Sequence, residues 1–579
     1  MFSWTGTFIR LYFGLYMATC KYCGQSTGLF SSSHKEYEGK HTVGTISCPR
    51  TEWHQSIGPK KNTDSGSVLI KKIGFRKLYR VFFVFLHSEI IKKADMEYNP
   101  KIIGRRHEQD LISEYCETTK AELVAIYGRR RVGKTYLVKQ YFGNNFDFCF
   151  TGSFETPRST QLTLFKKELE RYSQKKQLKP KDWNEAFAQL RDYISSLNKE
   201  RIIVFLDELP WMDTPKSGFL SAFSYFWNNW ASSVPGLKLF VCGSATTWML
   251  SKFIGDKGGM HGRVNRQIYL RPFTLSETEA FLQSKNIDWS RHQIVEAYMT
   301  VGGIPYYLDM LEGNMSLNVN VDHLFFEQGA PLRTEYDFIF RSLFKNSKVY
   351  RSVVEFLATN RHGKTRIDIQ QALNLDDGGM LTEVLDNLCK CDFIRCYTAF
   401  GKKEQGQIFQ LIDLFSLFHL QFVEKSNGQD ARFWSNMQDN PRRVAWQGYA
   451  FEQVCLHHVD QIKQRIGILG VLSEVCSWAC KAFTDKDGTE YKGTQIDLVI
   501  DRRDETVNLC EAKFSLEPFV ITEDYAKRLN SRKETFRAVT GTRKSLHTTL
   551  ITTYGVKRNK HSQVVQKEIV LDDLFNDIP

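Results

Sequence analysis

At 579 residues, with 42% hydrophobic and 13% aromatic side chains, the chain has room for three or four domains and is too apolar to be wholly disordered. Its formal net charge of +13 points to an anionic partner such as nucleic acid, but the excess is uneven: residues 1–95 hold 14 Lys and Arg against 6 Asp and Glu, leaving 64 against 59 for the rest. The 13 cysteines, an odd number scattered through apolar segments, do not suit a fully paired disulfide framework and fit free thiols in a reducing cytoplasm.

Residues 1–95 show no period that supports a stable fold, and Met1–Cys20 is too short, too lacking in a basic leader and too interrupted by Arg10 for a signal peptide or membrane helix. The reading here is a disordered extension or a mis-assigned start, with the native chain beginning at Met96. Cys20-x-x-Cys23 is half of a zinc knuckle without its second half nearby.

Ala121–Tyr127 is an apolar strand that runs straight into Gly128-Arg-Arg-Arg-Val-Gly133-Lys134-Thr135. This is G-x-x-x-x-G-K-T in the strand-to-helix setting that a phosphate-binding P-loop requires. Gly128 and Gly133 let backbone N–H groups curl around phosphates, Lys134 reaches the β and γ oxygens, and Thr135 offers its hydroxyl to Mg²⁺. A helix over roughly Lys134–Tyr141 points its positive end at the same phosphates.

A second strand, Arg201-Ile-Ile-Val-Phe-Leu-Asp207-Glu208, is apolar on both faces and ends in two carboxylates, which are costly there unless they serve a metal or a reaction. Asp207 is assigned to Mg²⁺ and Glu208 to polarising an attacking water. A third strand, Leu237–Gly243, ends at Ser244, where Ser244 or Thr246 would sense a γ-phosphate; a simple tight turn is the alternative. Arg263 is a candidate for stabilising transition-state charge, against a plain surface cation. Arg271-Pro272-Phe273 comes next, and Thr274 to roughly Lys345 is helical by period, forming a lid that contains Gly302-Gly303-Ile-Pro305.

Together with Gly104-Arg105-Arg106, these motifs resemble the archaeal-type ATPases, P-loop proteins of the AAA-related, STAND-like kind. The likeness runs from about Asn99 to the C-terminus. It implies an α/β protein with a parallel-sheet ATPase core (96–273) and helical lid (274–345), an ATP-driven switch, and Gly303 and Pro305 lying near the nucleotide.

Residues 346–425 have the pattern of a winged helix-turn-helix: helices at Val349–Thr359, Arg366–Leu373 and Gly379–Cys391, then wing strands at Phe393–Arg395 and Gln407–Leu411 with Gly401-Lys402-Lys403 at the tip. The third helix is net acidic, which favours a structural or protein-contact role over direct DNA reading. Adjacent His457 and His458 on a helix do not share a face, which argues against a metal pair.

In the last segment, 438–579, Gln495–Ile500 and Val507–Lys513 read as a hairpin that brings Asp497 together with Glu511 and Lys513, which share a face. Two carboxylates for Mg²⁺ beside a lysine suit phosphodiester hydrolysis. The set resembles the PD-(D/E)xK nucleases, which would place Glu452, on a helix opening at Trp446, as a third carboxylate. Tyr525 and Lys527 are the candidates on the next helix. The expected function is an ATP-binding and ATP-hydrolysing cytoplasmic regulator, without a membrane span, coupled to a nuclease-like domain that acts on DNA. The alternative is a nucleotide-dependent signalling scaffold with an inactive nuclease fold.

Overall fold

The computed structural model describes residues 98–578 apart from 256–259, 261, 345, 377 and 402–405. The readings made for residues 1–95, the Cys20/Cys23 pair, the Met96 start and the Lys402-Lys403 wing tip lie outside the described residues.

Five parallel strands form the first sheet: β1 (Glu122–Tyr127), β2 (Phe148–Thr151), β3 (Ile202–Asp207), β4 (Leu237–Gly243) and β5 (Arg266–Tyr269), in the order β2-β3-β4-β1-β5. Every residue of β3 and β4 is buried, as expected of central parallel strands covered by helices on both faces. β4 lies between β1 and β3, so the residues after it reach the space between the P-loop and the Asp-Glu pair.

The first two helices of the expected lid begin at capped ends. Thr274 and Glu277 form a capping box for Leu275–Ser284, and Ser290 with Gln293 does the same for Arg291–Val301. Next come Pro305–Leu308, Leu317–Phe325 and Glu335–Leu343.

Helices Ser347–Ala358, Arg366–Leu373 and Gly379–Lys390 then pack with a three-stranded antiparallel sheet of β6 (Lys364–Thr365), β7 (Ile394–Thr398) and β8 (Gln407–Leu411), ordered β6-β8-β7.

The C-terminal segment opens with the helix Pro441–His457, where Asn440 caps Arg442 N–H and Pro441 takes the first turn. Trp446 is therefore inside this helix, one and a half turns past its start. Its strands are β9 (Ser473–Cys480), the short pair β10 (Phe483–Thr484) and β11 (Glu490–Tyr491), β12 (Thr494–Arg502), β13 (Thr506–Lys513), β14 (Phe519–Val520), β15 (Ser545–Thr552), β16 (Val556–Lys557) and β17 (Lys567–Val570). The main sheet is mixed, β17-β15-β13-β12-β9, with β12 and β13 forming the antiparallel hairpin and β13, β15 and β17 running parallel. The described cysteines are all free. Among the described residues no helix is long and apolar enough to cross a membrane.

Candidate nucleotide site and C-terminal acid cluster

The P-loop turns on two glycines. Gly128 has φ +147° and a Cβ there would lie 2.2 Å from the Leu270 carbonyl oxygen, so the loop passes too close to the end of β5 for any side chain. Gly133 has φ +93° and starts the helix Lys134–Tyr141. Lys134 is buried, and its ammonium donates to the Gly128 and Arg129 carbonyls at 2.9 Å each. Burial presses its pKa down, opposed by the charges of Glu208 and Asp207.

Thr135 Oγ1 lies 3.1 and 3.0 Å from the two carboxylate oxygens of Asp207, so the P-loop hydroxyl and the strand-end acid meet. Burial, then the adjacent charge of Glu208, pushes Asp207 up to about 6. Glu208 has φ +51°, a left-handed conformation that costs about 1–3 kcal/mol for a non-glycine residue. Its carboxylate accepts from the Ser244 N–H at 3.0 Å and the Ser244 hydroxyl at 2.8 Å. Ser244 thus touches the acid assigned to water, from the strand inserted between β1 and β3. Thr246 is fully buried.

Gly303 packs against backbone. A Cβ would lie 2.1 Å from the Phe273 carbonyl oxygen, and Phe273 N–H donates to Gly303 O at 2.6 Å. Gly303 also lines a cavity of about 1120 Å³ with Arg105, Glu108, Arg129 and Ile304, whereas Pro305 occupies the first turn of its short helix. Arg263 is exposed on the turn before β5.

The three P-loop arginines carry a role that motif reading does not reveal. Arg129 forms a two-pronged ion pair with Asp413, just beyond β8, with both side chains 3–4% exposed. Arg131 pairs with Glu335 at 2.9 Å and lies over Tyr306, while Arg130 stacks on Phe338. Arg105 donates to the Val132 carbonyl at 3.2 Å from below the loop and lies over Phe273. The loop is therefore clamped by residues of segment 274–345 and of the segment after it. Asp413→Ala leaves a buried guanidinium without its counter-charge and is expected to destabilise the chain by about 3–5 kcal/mol. Chemical denaturation of the variant beside wild type checks this, and a loss below about 1 kcal/mol contradicts a buried clamp.

In the C-terminal segment the register of β12 against β9 shifts between Ile496 and Val499, and this irregularity carries Asp497. Bulges of this kind re-aim a side chain. Ser477 Oγ donates to the Asp497 carbonyl at 2.7 Å, and Gln495 Nε2 to its carboxylate at 3.2 Å. Glu511 and Lys513 share a face of β13 and are bridged at 2.7 Å. Tyr525 donates to Glu511 at 3.1 Å and Arg532 also pairs with it. Arg532 is seven residues beyond Tyr525, two helical turns, a spacing that could have revealed it. Lys527 instead pairs with Glu523 on the exposed side of the helix.

Three acids interact here. Burial, then the charge of Asp497, pushes Glu452 up to about 9, and burial with Glu511 pushes Asp497 up to about 7. Burial also opposes ionisation of Glu511, but Lys513 and Arg532 outweigh it and hold its pKa below the usual carboxylate range. Among the described residues no group of three or more His, Cys, Asp or Glu stands close enough to cage a metal. His457 and His458 serve packing: His457 Nε2 meets the Ile412 carbonyl at 3.0 Å, and His458 Nε2 accepts the Leu275 N–H at 3.0 Å.

Residues 103–311 match the family described as an ATPase domain predominantly from Archaea. They form an archaeal-type ATPase domain. The chain that carries this ATPase domain is similar to the uncharacterized protein MJECL04 of Methanocaldococcus jannaschii, 25% identical over 324 residues that cover 55% of this chain and 68% of the relative. The uncharacterized ATP-binding protein MJ0423 of the same organism is 40% identical over 42 residues, 7% of this chain and 71% of that relative. Among solved structures, the Walker-type ATPase PABY2304 of Pyrococcus abyssi aligns with TM-score 0.41 at 18% identity, covering 57% of this chain and 99% of that one. The Aeropyrum pernix ORC2 protein aligns with TM-score 0.37 at 14% identity, covering 57% and 96%.

Proposed function

We propose that this chain is an ATP-binding and ATP-hydrolysing regulator whose nucleotide state controls a nuclease-like C-terminal domain acting on DNA, in the cytoplasm. The observation that carries the ATPase half is the meeting of Thr135 with Asp207 beside Glu208. Both members of the first pair offer oxygen donors, the ligands that Mg²⁺ prefers, and the burial and adjacent Glu208 charge that raise Asp207 are what a divalent cation would offset. The residues fit the ion, and Thr135 and Asp207 would hold it. Bound there, Mg²⁺ would neutralise charge on the β and γ oxygens.

The chain's own groups supply the rest. Backbone N–H groups of the Gly128–Thr135 loop cradle the phosphates, Lys134 exchanges its carbonyl partners for phosphate oxygens, and Glu208 orients and polarises a water. Ser244, now bonded to Glu208, sets the position of that carboxylate.

At the second site, Asp497 and Glu511 would hold a metal, with Glu452 adding charge and Lys513 orienting the water. Asp497 and Glu511 offer the oxygen donors that a divalent cation prefers, and the burial and mutual charge that raise Glu452 and Asp497 are what it would offset. Segment 346–425 is read as a winged helix. Its acidic third helix fits a structural role.

Contacts of one helix with both segments support this coupling. The lid helix Arg291–Val301 ends at Gly302-Gly303 beside the ATPase core. From its other turns, His292 stacks on Phe514, next to Lys513, at 4.5 Å, and Glu296 pairs with Arg443 at 3.7 Å and Gln447 on the Glu452 helix.

A second reading has its own observation. Lys513, Arg532 and Tyr525 all occupy Glu511, which suits a silent nuclease fold in a signalling scaffold. The test is cleavage of single- and double-stranded DNA in Mg²⁺ or Mn²⁺ beside Asp497→Ala. Cleavage reduced at least about 100-fold by the substitution supports the nuclease. No cleavage in any condition leaves the scaffold.

A further inference from the structure

The C-terminal acid cluster has cations of its own, but both Lys513 and Arg532 are bonded to Glu511. A nucleic-acid strand brought to this cluster meets carboxylates first, and its phosphates need a cation that is not already committed. One uncommitted cation lies in a different part of the chain. The turn Asn360–Gly363, between the helix Ser347–Ala358 and β6, is held through its carbonyls by β7, β8 and the C-terminal helix Pro441–His457.

Tyr449 OH donates to Arg361 O at 3.3 Å, and Gln410 Nε2 donates to the same oxygen at 2.7 Å. Tyr397 OH reaches His362 O at 3.2 Å. Gly363 has φ +72° and a Cβ there would lie 2.7 Å from Phe409 O, so the turn is tight and fixed. Arg395 extends the junction by donating to both Gln410 and Ser477, the latter on β9 beside Asp497.

With its backbone pinned, Arg361 lays its guanidinium over the Tyr449 ring, 5.0 Å from the centroid. Tyr449 precedes Glu452 by one turn of the same helix, so the two share a face. The Arg361 charge is one of those acting on the Glu452 carboxyl. The side chain is exposed, and among the described residues it forms no ion pair. An arginine pre-oriented by an aromatic face, with its N–H donors open, suits a phosphate better than a flexible lysine does.

We propose that Arg361 binds the backbone phosphate of DNA at the C-terminal site, so that residues 346–425 complete the substrate surface of residues 438–579. This inference rests on the nuclease-like reading of the acid cluster. It also gives segment 346–425 a route to DNA through a turn rather than through its acidic third helix.

The test is binding of fluorescein-labelled single- and double-stranded DNA oligonucleotides to the full chain, in Ca²⁺ over a salt series, by fluorescence anisotropy. Arg361→Ala is expected to weaken binding about tenfold, and to make the slope of log affinity against log salt shallower by about 0.9 for duplex or about 0.7 for a single strand. Arg361→Lys keeps the charge and the slope. Lys181→Ala, which removes a surface cation of the ATPase domain, leaves both unchanged.

A merely structural Arg361 would lower the melting temperature without moving the salt slope, and an unchanged slope in Arg361→Ala overturns the inference. Arg361→Gln gives the same readout if the alanine variant does not fold. DNA binding that depends on Arg361, without cleavage by wild type in Mg²⁺ or Mn²⁺, keeps the inference and rejects the nuclease activity. No DNA binding by wild type rejects both.

Discussion

Lys134→Ala is expected to abolish ATP binding, lowering affinity by at least about 100-fold while leaving a folded chain. The ammonium is buried at the centre of the loop and already points into it, held by two carbonyl oxygens of the loop itself. Phosphate oxygens are stronger partners for a cation than carbonyls, and burial, which presses the Lys134 pKa down, strengthens the exchange. Alanine removes the charge and leaves the Gly128 and Arg129 carbonyls short of a donor, a loss of about 1–3 kcal/mol in stability. The clamps on Arg129 and Arg131 do not involve this lysine, so the loop keeps its shape. Calorimetric titration with ATP and Mg²⁺ reads the effect; wild-type affinity in the variant removes the P-loop assignment.

Glu208→Gln should separate binding from turnover. The carboxylate accepts two hydrogen bonds from Ser244, and the amide oxygen of glutamine can accept the same two, so the side chain is expected to stay in place. Glutamine cannot take a proton from water or polarise it as an anion does. Hydrolysis is expected to fall by about 10²–10⁴-fold with ATP affinity retained. Phosphate release and ATP titration on the same preparation give both numbers. Turnover at the wild-type rate would move the water-polarising role to another residue.

Much of the ATPase core was legible because its chemistry fixes residue types locally. The P-loop glycines, Lys134, Thr135 and the acids at the end of β3 are the residue types that binding phosphate and Mg²⁺ would require, and the helix Lys134–Tyr141 falls where the sequence places it. Strand order was not legible, since no local pattern says that β4 inserts between β1 and β3. That insertion is why Ser244 meets Glu208.

Long-range pairing was equally hidden. Arg129 and Asp413 are 284 residues apart, and nothing in a run of three arginines distinguishes a clamp from a solvated turn. Gly303 is expected near nucleotide from the resemblance, and the close approach of Phe273 requires a glycine there as well. The Glu452 helix starts at Pro441, and the Asn-Pro cap that marks it was present in the sequence. In the C-terminal hairpin the alternation of β13 placed Glu511 beside Lys513, but the register shift at Asp497 and the arrival of Arg532 depend on neighbouring elements.

The claim that joins both halves is that nucleotide occupancy sets the activity of the C-terminal site. It is tested most directly by the rate of DNA cleavage in Mg²⁺ by the full chain, with and without ATP, beside Lys134→Ala. The account predicts that ATP changes the wild-type rate and leaves the Lys134→Ala rate unmoved; a wild-type rate indifferent to ATP would contradict it.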